Sequence, residues 1–389
     1  MGISLGLVGL GSFGSAFAPL FNAHPLVDRI ALCDREPERV RKFAEDERFQ
    51  EKFSPSDAYG SFEEIRDSDL DALAIITQPW LHAPQALQAM ESGKHVYSAV
   101  PVIRVPDGDE ILQWCDRLVR AVESTGMHYM LGETTFYRPQ TMYCRRRAAA
   151  GDFGDFVHAE GQYFHDVDEP SCNLRDVYRH RLGSSSGREW AAEREEYWQR
   201  GVVSGPMHYP THSVSGPVSV MGAHAVEVCA WGQEDRSGDE FFAHDLMNEV
   251  ALFRMSNGAT MRIAECRKIG HTGEEMFRIF GTQGSFREDN WVTKDGWTHP
   301  TVEEMRDPLP EEVHSAFRAA TGEGVYGGHG GSHAYLVHEF VEAVAQDRIP
   351  AVSVWEAVRY MAPGVLAHKS ALAGGETLEV PDWGDPPAG

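Results

Sequence analysis

The side chains best suited to move protons lie in the segment His208-Tyr209-Pro210-Thr211-His212. A proline suits the first turn of a helix, because the amide hydrogen that it lacks has no partner there. Tyr209 and His212 are three residues apart, which predicts that both lie on one face at the start of this helix. The positive end of a helix disfavours an imidazolium, so we expect His212 to be neutral near pH 7 and able to accept a proton. The segment is a candidate acid–base centre, with a polar helix cap as the alternative interpretation.

A second signal is a glycine-rich turn near the start of the chain. The apolar residues 3–8 predict a β-strand, and Gly9-Leu10-Gly11-Ser12-Phe13-Gly14 follows it. In a dinucleotide-binding turn the first glycine permits a sharp bend and the second lets the backbone approach a pyrophosphate. The third lets the following helix pack on the strand. The alternative is a purely structural turn.

An acidic residue after the second predicted strand supports dinucleotide binding. Residues 27–34 read as a strand that ends in Asp34. This acid lies about 20 residues beyond the last glycine, where a carboxylate can bind a ribose diol. Asp34 would repel a 2′-phosphate and therefore favours NAD, whereas the neighbouring Arg35 leaves NADP open.

The elements that must position these residues change character along the chain. Strands at 70–77, 94–97 and 127–131 alternate with helices, which predicts a doubly wound parallel sheet in a first domain, residues 1–131. Residues 132–389 carry consecutive strand-like runs with helices around them, which predicts an α+β domain with an antiparallel sheet. The alternative for the final helices is that they pack back on the first domain. Residues 166–205 and 296–331 show little periodicity, so we expect an irregular segment and a long ordered loop there.

Composition argues against several classes of function. The chain has 389 residues and a formal net charge of −24, which disfavours nucleic acid and anionic membranes as partners. No apolar run approaches the roughly 20 residues of a membrane span and no leader precedes the first strand, so we expect a cytoplasmic protein. The six cysteines are scattered, without a Cys-x-x-Cys pair, which predicts neither a disulfide framework nor a metal site.

Arginines cluster in the stretch 175–188 of this acidic chain: Arg175, Arg179, Arg181 and Arg188, with His180 among them. Arginine forks bind sulfonate, phosphate or carboxylate groups well, so the cluster is a candidate anion clamp. Alternatively, these arginines pair with nearby acids such as Asp176 and Glu189. Both interpretations stay open at this point.

Taken together, the motifs resemble the glucose–fructose oxidoreductase / inositol dehydrogenase / MocA family over nearly the whole chain. The resemblance implies an NAD-binding Rossmann domain and a C-terminal domain with a large, mostly antiparallel sheet that mediates homo-oligomerisation into dimers or tetramers. It also implies the cofactor-binding residues, which are Gly9, Gly11, Ser12, Phe13, Gly14, Asp34, Arg35, Thr77, Gln78, Pro79, Trp80, His82, Ala99, Val100 and Glu133.

Two departures from the family pattern resemble one branch, the NAD-dependent glycoside hydrolases. Sugar dehydrogenases of the family carry Glu-Lys-Pro, whose lysine helps to deprotonate the reacting hydroxyl, where this chain has Ala99-Val100-Pro101. The family's Asp-x-Gly-x-His motif appears as residues 208–212. Further matches to the branch are Gly132–Tyr137, Tyr163–Asp166 and Gly328–Gly331. The N-acetylgalactosaminidases of the branch carry Gly-Asn-x before Tyr-Pro-Thr-His, whereas here Gly205-Pro206-Met207-His208 precedes Tyr209.

The resemblance implies glycoside hydrolysis without net redox. NAD takes hydride from C3 of the sugar, the C2 proton and the C1 aglycone leave, water adds, and the hydride returns. By this resemblance His212 is the principal acid–base residue and Tyr209 its partner, with His208 and Tyr137 as further catalytic candidates. The candidate substrate-binding residues are Tyr163, His165, Asp166, Arg175, Arg179 and His329.

The substrate depends on the arginine cluster. If the cluster binds an anion, an α-sulfoquinovoside is the expected substrate; otherwise an N-acetylated or neutral hexoside is expected. Two other functions stay open. The missing amine at Val100 argues against a conventional NAD(P)-dependent sugar or polyol dehydrogenase, and Tyr209 and His212 argue against a non-catalytic NAD sensor.

Overall fold

The computed structural model describes residues 2–169, 174–234, 245–271, 273–322 and 327–387. The chain divides into two compact units. The first comprises residues 1–103, 114–138 and 307–357, and the second comprises residues 104–113, 139–306 and 358–389. The first unit thus takes in a late segment of the chain as well as its start.

A six-stranded sheet lies at the centre of the first unit, in the order β3-β2-β1-β4-β5-β6 with every neighbouring pair parallel. The order reverses at β1, which is the topology of a doubly wound sheet, so that prediction is confirmed. Its strands are β1 (Ile3–Val8), β2 (Val27–Cys33), β3 (Phe53–Tyr59), β4 (Ala72–Ile75), β5 (His95–Ala99) and β6 (Tyr129–Gly132).

A nine-stranded sheet forms the second unit, in the order β14-β13-β12-β11-β7-β10-β9-β8-β15. Every neighbouring pair is antiparallel except β7 and β10, so the predicted mostly antiparallel sheet is confirmed. Its strands are β7 (Phe156–Phe164), β8 (Ala225–Glu234), β9 (Leu246–Met255), β10 (Thr260–Cys266), β11 (Glu274–Gly281), β12 (Gly284–Arg287), β13 (Asn290–Thr293), β14 (Gly296–Thr298) and β15 (Leu378–Glu379).

Thirteen α-helices are found in the described residues, and none of them combines the length and the hydropathy that a membrane-spanning helix needs. They are α1 (Ser12–Ala23), α2 (Pro37–Ala44), α3 (Phe62–Arg66), α4 (His82–Glu91), α5 (Gly108–Thr125), α6 (Pro139–Ala149), α7 (Leu174–Gly183), α8 (Ser185–Gln199), α9 (Thr211–Met221), α10 (Val302–Met305), α11 (Glu311–Thr321), α12 (Ser332–Gln346) and α13 (Val354–Leu372).

Three stretches differ from the sequence-based expectation. The predicted irregular segment 166–205 is wrong, because it holds α7 and α8; α7 buries no residue, so it lacks the apolar stripe that reveals a helix. The predicted loop 296–331 is also wrong, since it holds β14, α10 and α11. The edge strand β3, which contains Pro55 and is mostly exposed, was missed because edge strands tolerate proline and polar residues.

Candidate active site

The glycine turn after β1 has the shape of a cofactor cradle. Gly9 has a φ of +92°, and a Cβ there would lie 2.4 Å from the carbonyl oxygen of Ile76. A Cβ on Gly14 would lie 2.0 Å from the oxygen of Gly9, so both glycines are needed by the fold itself. A Cβ on Gly11, in contrast, would meet only the Arg39 guanidinium, at 3.8 Å. The space over Gly11 is therefore open, as a bound pyrophosphate requires.

Asp34 anchors this turn from the end of β2. One carboxylate oxygen accepts a hydrogen bond from the Leu10 amide at 2.7 Å, and the other accepts one from Glu36 at 2.9 Å. Arg39, in the first turn of α2, lies 3.4 Å from the carboxylate, whereas Arg35 is exposed. Arg39 was not predicted as a site residue. An arginine in the first turn of the helix after the acidic strand end could have indicated this ion pair.

His82 joins the two turns that follow β4 and β5. It is buried, and its ring nitrogens lie 2.9 Å from the oxygen of Pro101 and 3.2 Å from that of Thr77. Gln78, Pro79 and Trp80 lie between Thr77 and α4, and Ala99 and Val100 are buried at the end of β5. These residues line the carboxyl edge of a parallel sheet, where such sheets bind ligands.

The two candidates after β6 belong to the first unit. Glu133 is fully buried and accepts a hydrogen bond from the Thr135 amide at 2.9 Å. Tyr137, a catalytic candidate, is 8 % exposed and stacks on Tyr335 of α12, with the ring centres 6.1 Å apart. Its role in catalysis stays a prediction.

His329, predicted as a substrate ligand, also lies in the first unit. Its ring meets the edge of Phe13, in the first turn of α1, with the ring centres 6.2 Å apart. Its Nδ1 lies 3.1 Å from Nε2 of the buried His333, and its φ of +54° is unusual for a residue other than glycine. This placement brings His329 close to the residues that form the cofactor turn.

The acid–base candidates of the second unit meet, but not on the face of a helix as expected. Helix α9 begins at Thr211, Pro210 is its N-cap rather than its first helical residue, and Tyr209 precedes it in a bend. The Tyr209 hydroxyl nevertheless lies 3.0 Å from Nε2 of His212. The two groups can share one proton.

Tyr163 and His165, at the end of β7, complete this cluster. The Tyr163 ring meets His212 edge to face at 5.1 Å between ring centres, and its hydroxyl lies 2.8 Å from Nδ1 of His165. Asp166 accepts hydrogen bonds from the amides of Asp168 and Ile269, at 2.8 and 2.7 Å. Asp166 therefore shapes the loop after β7.

A buried ion pair that the sequence analysis missed lies behind Tyr163. The Arg267 guanidinium lies 4.8 Å from the Tyr163 ring centre and 2.8 Å from the Glu265 carboxylate. Burial raises the pKa of Glu265 to about 7, although Arg267 and a hydrogen bond from Ser213 oppose this. The detectable signal was that Glu265 continues the alternation of the buried Met261 and Ile263 along β10.

His208 occupies a different environment from His212. It is fully buried, and its ring meets His368 at 4.4 Å between ring centres. Burial, with the nearby His368, lowers the pKa of His208 well below its usual value. These contacts do not connect His208 to His212, so the catalytic role of His208 stays a prediction.

Two arginines of the candidate anion clamp pair with neighbouring aspartates. Arg175 bonds to Asp168 at 2.5 Å, and Arg179 bonds to Asp176 at 3.0 Å. These contacts match the alternative in which the arginines pair with neighbouring carboxylates. Within the described residues, no group of three or more His, Cys, Asp or Glu side chains is arranged to hold a metal ion.

Comparison with known families separates the chain into two matched regions. Residues 3–132 match the model described as oxidoreductase family, NAD-binding Rossmann fold. Residues 137–386 match the model of the glycosyl hydrolase 109 C-terminal domain. The second match covers well over half of the chain.

Curated relatives agree with these matches. The alpha-N-acetylgalactosaminidase of Tannerella forsythia is 24% identical over 347 residues, which are 83% of this chain and 73% of that protein. A glycosyl hydrolase family 109 protein of Solibacter usitatus is 26% identical over 98% of this chain and 88% of its own length.

Solved structures show the same fold. An oxidoreductase domain protein from Kribbella flavida superposes with a TM-score of 0.74 at 19% identity, covering 98% of this chain and all of its own. The scyllo-inositol dehydrogenase of Lactobacillus casei, solved with NAD(H) and scyllo-inositol, has a TM-score of 0.64 at 16% identity, with 97% and 99% covered. The chain therefore belongs to the glycosyl hydrolase 109 family, and it is an NAD-dependent glycosidase built on an oxidoreductase fold.

Proposed function

We propose that this glycosidase hydrolyses an α-linked N-acetylhexosaminide, and that His212 and Tyr209 move the C2 proton of the sugar. The single observation that carries the proposal is the contact of 3.0 Å between the Tyr209 hydroxyl and Nε2 of His212. The choice of an N-acetylated sugar is supported by the relative named alpha-N-acetylgalactosaminidase.

The chemistry suits neutral proton carriers. When bound, NAD supplies a reversible hydride acceptor for a sugar carbon. A carbonyl group at C3 makes the neighbouring C2 proton acidic, so that an imidazole is a strong enough base to remove it. The hydroxyl of Tyr209 can then exchange a proton with Nε2 of His212, which resets the histidine for the addition of water.

Two further residues favour the same role for His212. The Tyr163 ring lies against the imidazole and limits its rotation, and the Tyr163 hydroxyl is held by His165. In the first unit, the open space over Gly11 and the buried Asp34 are suited to bind NAD. His329, beside Phe13, is a further candidate for binding the substrate.

The ion pairs of two clamp arginines favour an uncharged sugar over the anionic one. Arg175 and Arg179 each bond to a neighbouring aspartate, so a sulfonate would have to displace a carboxylate from either of them. An α-sulfoquinovoside therefore serves as the competing substrate in the test.

The test is a panel of nitrophenyl α-glycosides given to the enzyme with NAD and after its removal. We expect aglycone release from the N-acetylgalactosaminide, dependent on NAD and without accumulation of reduced cofactor. Accumulation of reduced cofactor in step with turnover would indicate a dehydrogenase. If kcat/KM were higher for the sulfoquinovoside than for the N-acetylgalactosaminide, and if Arg175→Ala lowered it for the sulfoquinovoside alone, the result would support the anion clamp.

We further propose that the chain forms a homo-oligomer through the outer face of the nine-stranded sheet. Trp231 and Val250 lie opposite each other on β8 and β9 and are 58% and 40% exposed, and Leu252 beside them is 48% exposed. Adjacent exposed apolar side chains favour association. Light scattering should give a multiple of 43.3 kDa, and Trp231→Glu should lower it.

A further inference from the structure

Two buried glutamates lie beneath the segment that carries Tyr209 and His212. Glu249 on β9 and Glu265 on β10 are directly opposite in the antiparallel register, and both are almost completely inaccessible. Like charges at such positions repel each other, so each carboxylate needs a compensating partner. We name residues 205–213 the acid–base segment.

Each glutamate has its own basic partner. Glu249 lies 2.8 Å from Nδ1 of His368 on α13, and Glu265 lies 2.8 Å from the Arg267 guanidinium. Burial opposes the charged form of His368, but its hydrogen bond to Glu249 and the charge of Glu249 outweigh this and raise the pKa of His368. The two pairs therefore coexist side by side in the sheet.

The remaining carboxylate oxygens bind the acid–base segment near its two ends. Glu249 accepts a hydrogen bond from the Met207 amide at 2.9 Å, near the start of the segment. Glu265 lies 2.5 Å from the Ser213 hydroxyl, in the first turn of α9. Tyr209 and His212 lie between these two attachment points.

Close packing around the segment shows that these contacts are built into the fold. A Cβ on Gly205 would lie 2.4 Å from the Glu249 carboxylate, and a Cβ on Gly161 of β7 would lie 1.9 Å from the carbonyl oxygen of Ser213. On the opposite side, a Cβ on Gly364 of α13 would lie 2.2 Å from the oxygen of Met207. Three glycines thus allow the segment to be held between the sheet and α13.

Glu265 also acts through Arg267. The guanidinium that it fixes donates to the backbone oxygen of Tyr163 at 3.1 Å and lies over the Tyr163 ring, which in turn meets His212. The Ser213 hydroxyl lies within reach of two oxygens, on Glu265 and on Pro210, but has one proton to give.

We propose that Glu265 and Glu249 are positioning residues that hold the acid–base segment at its two ends and thereby fix the Tyr209–His212 contact. The inference rests on the proposed function, since it takes these two residues as the proton-transferring pair. Neither glutamate is assigned contact with the substrate.

The test compares Glu265→Gln, Glu249→Gln and Ser213→Ala with a matched control, Glu160→Gln. Glu160 lies on β7 and also pairs with two arginines, Arg262 and Arg278, at 3.3 and 2.9 Å. The next residue, Gly161, is the one that meets Ser213 of α9, so Glu160 lies on the other face of the sheet and its loss should change neither readout. Ser213→Ala keeps the Glu265–Arg267 pair and so guards against simple misfolding of the glutamate variants.

The first readout is steady-state turnover of the NAD-loaded enzyme. Loss of one buried hydrogen bond to a charged group is expected to lower kcat by about 10- to 100-fold in each test variant, with KM and NAD affinity nearly unchanged. A purely structural role would instead lower the melting temperature and leave kcat per folded molecule intact.

The second readout is the carbethoxylation rate of His212 by diethyl pyrocarbonate, followed by peptide mass spectrometry. Loosening the segment uncovers Nε2 of His212, so its rate should rise in the three test variants and stay at the wild-type value in Glu160→Gln. Rates and kcat values equal to those of Glu160→Gln would overturn the proposal. If the wild type cleaves no glycoside, the proposed function fails, and the His212 rates alone decide the positioning role.

Discussion

The Tyr209 hydroxyl lies 3.0 Å from Nε2 of His212 although only His212 stands on a helix. Tyr209 lies in the bend before Pro210, with a backbone that is not helical, and its side chain reaches forward to the first turn of α9. The pair therefore depends on how residues 205–213 are held, and not on helical spacing. Substitutions that change this bend should act on catalysis as strongly as changes to the two side chains.

Replacement of His212 by alanine should abolish aglycone release. General acid–base groups contribute about 100- to 10,000-fold to rate, so we expect a loss of at least that lower factor in kcat. NAD should still bind, because His212 belongs to the second unit and the glycine turn to the first. Calorimetric titration with NAD beside the turnover assay checks both points, and near-normal turnover would remove His212 from the mechanism.

Loss of the Tyr209 hydroxyl alone should have a smaller effect. In Tyr209→Phe the imidazole remains but loses its proton-sharing partner, so kcat should fall by about 10- to 100-fold. Tyr143→Phe is the control, since that hydroxyl accepts hydrogen bonds from Arg147, away from His212. Equal kcat values for the two variants would contradict the role of Tyr209.

Two glycine-to-alanine changes in the cofactor turn should affect different properties, NAD affinity in one variant and thermal stability in the other. A Cβ on Gly11 enters open space, so Gly11→Ala should fold normally and bind NAD far more weakly. A Cβ on Gly14 would lie 2.0 Å from a backbone oxygen, so Gly14→Ala should lower the melting temperature even without NAD. Melting curves with and without NAD separate the effects, and normal NAD affinity in Gly11→Ala would contradict the assigned cradle.

Two buried histidines of the first unit should make the protein sensitive to acid. Burial lowers the pKa of both His24 and His333 to about 3, with smaller contributions from His338 and Lys52 at His24 and from His329 at His333. The unfolded chain binds these protons near pH 6.5, so the stabilising contribution is present above pH 6.5 and is lost as pH falls toward 3. For each unit by which the pH falls within that window, each histidine should lower the free energy of unfolding by about 1.4 kcal/mol.

His333→Gln tests this assignment, because glutamine does not titrate. Urea unfolding between pH 7 and 5 should show a smaller loss of stability for the variant than for the wild type. An identical pH dependence for the two proteins would show that His333 does not contribute.

Much of the architecture could be predicted from local patterns. Apolar runs that end in glycine or acidic residues predicted β1, β2 and the cofactor turn. The segment 208–212 predicted that Tyr209 and His212 meet, but the bend that brings them together was not predicted. Helices α7 and α8 were missed because their surfaces are mostly polar, so their periodicity carries no apolar signal.

The buried ion pairs lay beyond sequence reasoning for a different reason. Glu249 and Glu265 are 16 residues apart, and only the antiparallel register of β9 and β10 places them opposite each other. Arg39 beside Asp34 and His329 beside Phe13 likewise depend on where a helix or a loop returns to the sheet. Strand register and the packing of a loop or helix against the sheet are tertiary properties, and local patterns in a single sequence do not predict them.

Removal of the C2 proton is tested by hydrolysis of nitrophenyl α-N-acetylgalactosaminide by the NAD-loaded enzyme in heavy water. If the C2 proton is removed and replaced during turnover, nuclear magnetic resonance of the released sugar will show deuterium at C2, and His212→Ala will give no such product. Released sugar that retains its original hydrogen at C2 would show that the glycosidic bond is cleaved directly, and would contradict the central claim.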